Sequence, residues 1–314
     1  MADEPVPQEH RAGIDPMDTV VVLDTFVPGI VRAVNPPPKK RARPIGTASV
    51  SVTHSPQRSP IAAQFSQLAG KGRRALVAYV TAGHPDLARS LELLRALELA
   101  GADVIEVGVP FSDPMADGPV IQSSSQQALA RGMTYDGVLD LITKAHLAIP
   151  VVLFSYLNPI MAAGATALER AARAGASGLL ITDLPVGSDD ALEARYSSGP
   201  LDFIRLVAPT TPSERMAHIA RHGSGFVYLI SRLGVTGARD ALPPDLPATV
   251  ARLRNATTLP ICVGFGVSTP AQAAAVARIA DGVVVGSAIV KAAEQGVDHA
   301  ATLVREMRRA IDAS

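Results

Sequence analysis

Val104-Ile105-Glu106-Val107-Gly108-Val109-Pro110-Phe111-Ser112-Asp113-Pro114-Met115-Ala116-Asp117-Gly118-Pro119 begins as an apolar, β-branched run and ends as a stiff Gly/Pro loop. Such a run reads as a strand of a parallel sheet, covered on both faces. It carries one carboxylate inside it, Glu106, and a second beyond it, Asp117. Burying an unpaired carboxylate costs several kcal/mol in order of magnitude. Glu106 is therefore either paired or put to use.

Seven more apolar runs resemble this one. The full set of strand candidates is Ala75–Thr81, Asp103–Val107, Val151–Phe154, Gly178–Thr182, Phe203–Val207, Phe226–Ile230, Ile261–Val263 and Gly282–Val285. Helical stretches lie between them, such as Leu87, Leu91, Leu94 and Leu97 at i, i+4, i+7 and i+10. Gly101, Gly175 and Gly223 fall where a helix would end just before the next strand. Eight βα units in roughly 250 residues make an α/β fold of the (β/α)8 TIM-barrel type. Ile61 to Leu68 adds a short leading helix. A doubly wound open sheet is the rival architecture, but Thr81-Ala82-Gly83-His84-Pro85 is a poor match to its glycine-rich first turn.

Residues 1–59 read differently from the barrel domain, 60–314. They hold nine of the 25 prolines and the basic run Lys39-Lys40-Arg41-Ala42-Arg43. This composition predicts a mostly disordered extension, interrupted within Thr19 to Ile30 by a short strand or a docking segment. The basic run reads as solvated and receives no function.

Lys+Arg and Asp+Glu balance at 29 each, which offers nucleic acid or anionic lipid no long-range attraction. The single Cys262 excludes an internal disulfide, and no Cys or His pair has zinc-site spacing. No apolar run reaches the ~18 residues of a membrane helix. Asp3, Glu4 and Glu9 make the N-terminus acidic where a signal peptide would be basic. A soluble, cytoplasmic protein without metal is expected.

In a barrel, chemistry gathers where strands end. Val104 and Glu106 share a strand face. If that face is the interior, desolvation raises the Glu106 pKa into a range useful for proton transfer. The competing reading is a structural ion pair. Asp117 lies eleven residues on, and an Asp before Gly is also an ordinary turn residue. The stretch Ser231 to Arg239, with Gly234 and Gly237, has the composition of a lid and equally that of a plain surface loop. Gly264-Phe265-Gly266 after strand seven and Gly286-Ser287 after strand eight form a matched pair. Glycine N–H groups and a helix start at those two loops suit a phosphate. Cys262, Tyr156 and Tyr228 read as core residues within strands.

The chain resembles the tryptophan synthase α-subunit family from about Ile61 onward. The resemblance is carried by Glu106 to Pro114, by Ala116 to Pro119, and by Thr81-Ala82-Gly83. Tyr228 to Arg232, Gly234 to Gly237, Gly264 to Gly266 and Gly286 to Val290 add to it. It implies retro-aldol cleavage of indole-3-glycerol phosphate to indole and glyceraldehyde 3-phosphate. Glu106 and Asp117 match the family's catalytic carboxylates. Gly237, Gly266, Gly286 and Ser287 match its phosphate contacts. Phe154, Leu180, Tyr228, Phe265 and Val284 match its indole pocket, and Thr236 its lid. Pro110, Asp113 and Asn158 match the contact with a β subunit in an α2β2 complex. The resemblance also implies no cofactor in this chain, pyridoxal phosphate belonging to the partner. Two other readings share these residues: a stand-alone lyase that releases indole, and a phosphate-binding activator of β without chemistry. Leu233, His84 and Tyr79 depart from the family's usual residues, as does the extension.

Overall fold

The computed structural model describes residues 59–231, 242–264 and 266–314. Eight parallel strands close into a barrel in the order β1 to β8. They are β1 (Ala75–Thr81), β2 (Val104–Gly108), β3 (Val151–Ser155), β4 (Ala176–Ile181), β5 (Asp202–Val207), β6 (Val227–Ile230), β7 (Ile261–Gly264) and β8 (Gly282–Val285). The helices preceding β4 are α1 (Pro60–Gly70), α2 (Leu87–Leu99), α3 (Pro119–Ala130), α4 (Tyr135–Ala145), α5 (Leu157–Ala162) and α6 (Ala167–Ala174). After β4 come α7 (Asp190–Ser197), α8 (Ser213–Arg221), α9 (Leu246–Ala256), α10 (Pro270–Ala277), α11 (Ser287–Gln295) and α12 (Val297–Asp312). The expected extension, the strand or docking segment within it and the lid loop from Arg232 lie outside the described residues. Among the described residues, no helix is long and apolar enough to cross a membrane.

Alternation along each strand divides the apolar residues into two bodies. Leu76, Ala78 and Val80 of β1 face the helical shell. Ala75, Val77 and Tyr79 face the barrel interior together with Val104, Val152, Leu180, Ile204 and Val284. The helix α1 closes the lower end. Ser59 accepts from the Ala62 N–H at 3.1 Å and Pro60 opens the helix. Ile61, Phe65 and Leu68 then enter the interior from one face, with Phe65 5.7 Å from Phe226 between ring centroids. Phe65→Ala leaves a cavity there, and urea unfolding should show a loss of about 3–5 kcal/mol.

Two details differ from the sequence-based expectation. On α2 the buried stripe is Ser90, Leu93, Leu94 and Leu97, while Leu87 is 56% exposed. Leu87 is the first helical residue after the Asp86 cap, too early to reach the shell, and buried Ser90 accepts from the Gly83 N–H at 3.0 Å. After α8 the left-handed residue is Gly225, not Gly223. Gly223 is required instead by close approach, since a Cβ would lie 2.9 Å from the Arg205 side chain. Asp103 stands just below β2, where its carboxylate accepts from the Leu76 N–H and pairs with Arg308, each at 2.8 Å.

Candidate active site

Tyr79 and Glu106 are register partners on β1 and β2, and both point inward. Strand-end glycines make the room above them. A Cβ on Gly108 would lie 2.1 Å from the Tyr79 hydroxyl, and one on Gly264 would lie 2.2 Å from the Tyr228 hydroxyl. The result is a cleft at the upper end of the barrel, with a mostly apolar lining and a few polar groups converging on it, as small-molecule sites have. Glu106, Asp117, Phe154, Tyr228 and Val284 line it, with Tyr79, Val120 and Ile121. Gly266, Gly286 and Ser287 line it too, with Val267, Ser268, Ala288 and Lys291. Most of the expected site residues thus meet in one place.

Glu106 is 1% exposed, and its Oε1 has no hydrogen-bond partner among the described residues. Burial pushes its carboxyl up to about 8. The ion-pair reading is thereby set aside, because no cation is paired with it among the described residues. Asp117 sits in the loop leading to α3 and is also buried. Burial raises its carboxyl to about 6, while the Tyr156 O–H, donating to Oδ2 at 3.0 Å, works against that rise. Two carboxyls near one apolar wall are thus held in different ranges, which separates acid from base. At neutral pH Glu106 is mainly protonated and Asp117 mainly ionised.

Tyr156 corrects the reading of that residue as a strand aromatic. It follows β3 as the N-cap residue of α5. Its hydroxyl accepts from the Ala116 N–H at 2.9 Å while donating to Asp117, so it clamps the loop and orients the carboxylate together. Phe111 packs on its ring at 5.2 Å.

At the far end of the cleft, α11 begins at Ser287, after Gly286. Its first N–H groups have no carbonyl within the helix, and its dipole favours an anion there. Gly266 adopts φ +88° beside it. Lys291, one turn after Ser287, brings a cation to the same wall and was not singled out from the sequence. Leu180 packs in the interior cluster in register with Phe154 rather than on the described wall. Thr236, Gly237 and Phe265 lie outside the described residues.

Asp113 is exposed on the loop after β2 and Asn158 on the short helix α5 after β3, and Pro110 is buried at the base of the loop. Met115 on that loop and Met161 on α5 are 72% and 53% exposed. Among the described residues, no group of His, Cys, Asp and Glu is placed to hold a metal ion.

A family model described as Tryptophan synthase alpha chain matches residues 65–313. A relative of that name from Citrifermentans bemidjiense is 51% identical over 236 residues, covering 74% of this chain and 88% of its own. One from Gloeobacter violaceus is 46% identical over 259 residues, covering 80% and 94%. Among solved structures, tryptophan synthase from Mycobacterium tuberculosis superposes with a TM-score of 0.75 at 36% identity, covering 81% of this chain and 98% of that one. The tryptophan synthase alpha subunit from Legionella pneumophila gives 0.74 at 36% identity, covering 82% and 99%.

Proposed function

This chain belongs to the tryptophan synthase alpha chain family, carbon–carbon lyases that split indole-3-glycerol phosphate into indole and glyceraldehyde 3-phosphate, and from that premise we propose that Glu106 and Asp117 perform the cleavage. The observation that carries the assignment is the pair of buried carboxyls in different titration ranges, about 8 and about 6, at one end of an apolar cleft.

The protonated Glu106 donates to C3 of the indole ring. Positive character then develops on the ring nitrogen, and the ionised Asp117 stabilises it by accepting the N–H. The bond from C3 to the glycerol chain breaks and its electron pair returns to the ring. The adjacent hydroxyl becomes the aldehyde, and its proton passes to the Glu106 carboxylate. Glu106 ends protonated, as it began, and no proton is gained or lost overall. Phe154, Tyr228 and Val284 hold the ring, with Leu180 packed behind Phe154 and Phe265 as a further ring contact. The phosphate lies against Gly266, Gly286 and Ser287, and the family resemblance assigns Gly237 to the same phosphate and Thr236 to the lid.

The alpha chain works with a tryptophan synthase beta subunit, which takes up the indole. We place the contact at Pro110, Asp113 and Asn158, because exposed Met115 and Met161 give the loop after β2 and the adjoining α5 an apolar face. Pyridoxal phosphate belongs to that partner, and this chain takes no cofactor of its own. Residues 60–314 form the catalytic domain and 1–59 an extension outside it, in the cytoplasm with the other enzymes of amino-acid synthesis.

The rate of indole formation from indole-3-glycerol phosphate tests this, with and without a cognate beta subunit. Slow release alone and at least tenfold acceleration with beta are expected. Release as fast without beta would indicate a stand-alone lyase. No Glu106-dependent release under either condition would leave a phosphate-binding activator.

A further inference from the structure

The charges around the cleft do not balance without one residue that the mechanism above leaves out. A phosphate monoester carries about −1.5 to −2 at neutral pH. Asp117, on the same cleft, is mainly ionised there. Against these the start of α11 sets only a partial positive charge, about half an elementary charge. Among the described residues that line the cleft, Lys291 is the one lysine or arginine.

Packing fixes where that cation stands. On α11, Ile289 joins the helical shell and Val290 joins the barrel interior, so the helix is held against turning about its axis. The Ile289 and Val290 N–H groups both turn to the Gly286 carbonyl, at 2.9 and 3.1 Å. Those of Ser287 and Ala288 are left without a carbonyl in the helix. Lys291 lies four residues beyond Ser287, on the same side of the helix and about 6 Å further along its axis. Helical side chains lean toward the N-terminus, so a long one at this position covers the turn that begins at Ser287. The plain alternative is a lysine paired along its own helix. Its neighbour at i+3 is Glu294, but that carboxylate stands 3.7 Å from Nε2 of the buried His84. Among the described residues Lys291 has no hydrogen bond or ion pair of its own.

We propose that Lys291 is a specificity-determining residue, its ammonium meeting the substrate's phosphate beside the Ser287 N–H so that the site selects a phosphate ester over the free alcohol. This rests on the placement of the phosphate at Gly266, Gly286 and Ser287. The phosphate takes no part in the cleavage and keeps its charge throughout, so Lys291 holds substrate and transition state alike. Such uniform binding lowers KM and leaves kcat where it is. Lys291 is exposed, and salt therefore screens the attraction.

Lys291→Met keeps the reach of the side chain and removes its charge. With a cognate beta subunit present, it should raise KM for indole-3-glycerol phosphate about tenfold and change kcat by less than about twofold. Calorimetry on the full-length chain gives a readout without turnover, using indole-3-propanol phosphate and indole-3-propanol. These probes share the ring and the chain, lack the reacting hydroxyl and differ only in the phosphate. Lys291→Met should weaken the ester about tenfold and leave the alcohol unchanged. Lys291→Arg should restore the ester, and added salt should weaken it less in Lys291→Met than in the wild type. Ser287→Asp sets a carboxylate at the start of α11 and tests the phosphate placement separately. If it abolishes binding of the ester while Lys291→Met leaves that binding intact, the proposal is overturned and the phosphate site stands. If neither substitution weakens the ester, the phosphate placement falls and the proposal with it. Equal losses of ester and alcohol in Lys291→Met would assign the side chain a structural role and overturn the proposal as well.

Discussion

Glu106→Gln should lower kcat at least 1,000-fold, with KM for indole-3-glycerol phosphate changed by less than about threefold. The amide keeps the size of the side chain and loses both proton transfers. Acid–base groups typically contribute 10²–10⁴-fold, and a single residue used twice belongs in the upper part of that range, about 4 kcal/mol of barrier. KM holds because the ring wall and the phosphate cradle are separate from Glu106 and bind substrate and transition state alike. The same substitution should make the protein more stable at alkaline pH. The folded carboxyl is raised from 4.5 to about 8, so between those values the native state binds more protons than the unfolded chain. Stability of the wild type therefore falls as pH rises through that window, by up to ~1.4 kcal/mol per pH unit. The glutamine variant lacks that slope. Paired denaturation curves at pH 5 and pH 9 would show it, and parallel losses in both proteins would contradict the buried-carboxyl account.

Asp117→Asn should lower kcat about 100-fold, again with little change in KM. Asparagine can still accept from the indole N–H, but it brings no charge to the cation forming on the ring. The amide also meets the Tyr156 hydroxyl at the place where the carboxylate accepts at 3.0 Å. A steady-state comparison separates two cases. Loss in kcat means that the carboxylate acts as charge builds up, and loss confined to KM would mean that it serves only to bind the ring.

Much of this site was legible in the sequence for reasons that are local. Strand alternation placed Glu106 with Val104 on one face, and the interior cluster contains Val104. The two glycine loops fall after β7 and β8 because helix starts and strand ends are written in short segments. Contacts between distant segments were not legible. Tyr156 reaches Asp117 across 39 residues, and Thr81 reaches Ser124 across 43. Nothing in the neighbourhood of either residue marks its partner. The fit of Tyr79 over Gly108 depends on the register of two strands, which periodicity does not supply. Lys291 is one lysine on an amphipathic helix until α11 is docked on the barrel. Leu87 misled in the opposite direction, since a perfect helical spacing includes a first residue that the Asp86 cap leaves at the rim.

The pH dependence of kcat/KM for cleavage of indole-3-glycerol phosphate tests the central claim most directly: one buried carboxyl is held protonated and another ionised for the same reaction. The account predicts a bell, with an acid limb near 6 from Asp117 and an alkaline limb near 8 from Glu106. A rate constant that stays flat from pH 7 to pH 10, or an alkaline limb that persists in the residual activity of Glu106→Gln, would contradict it.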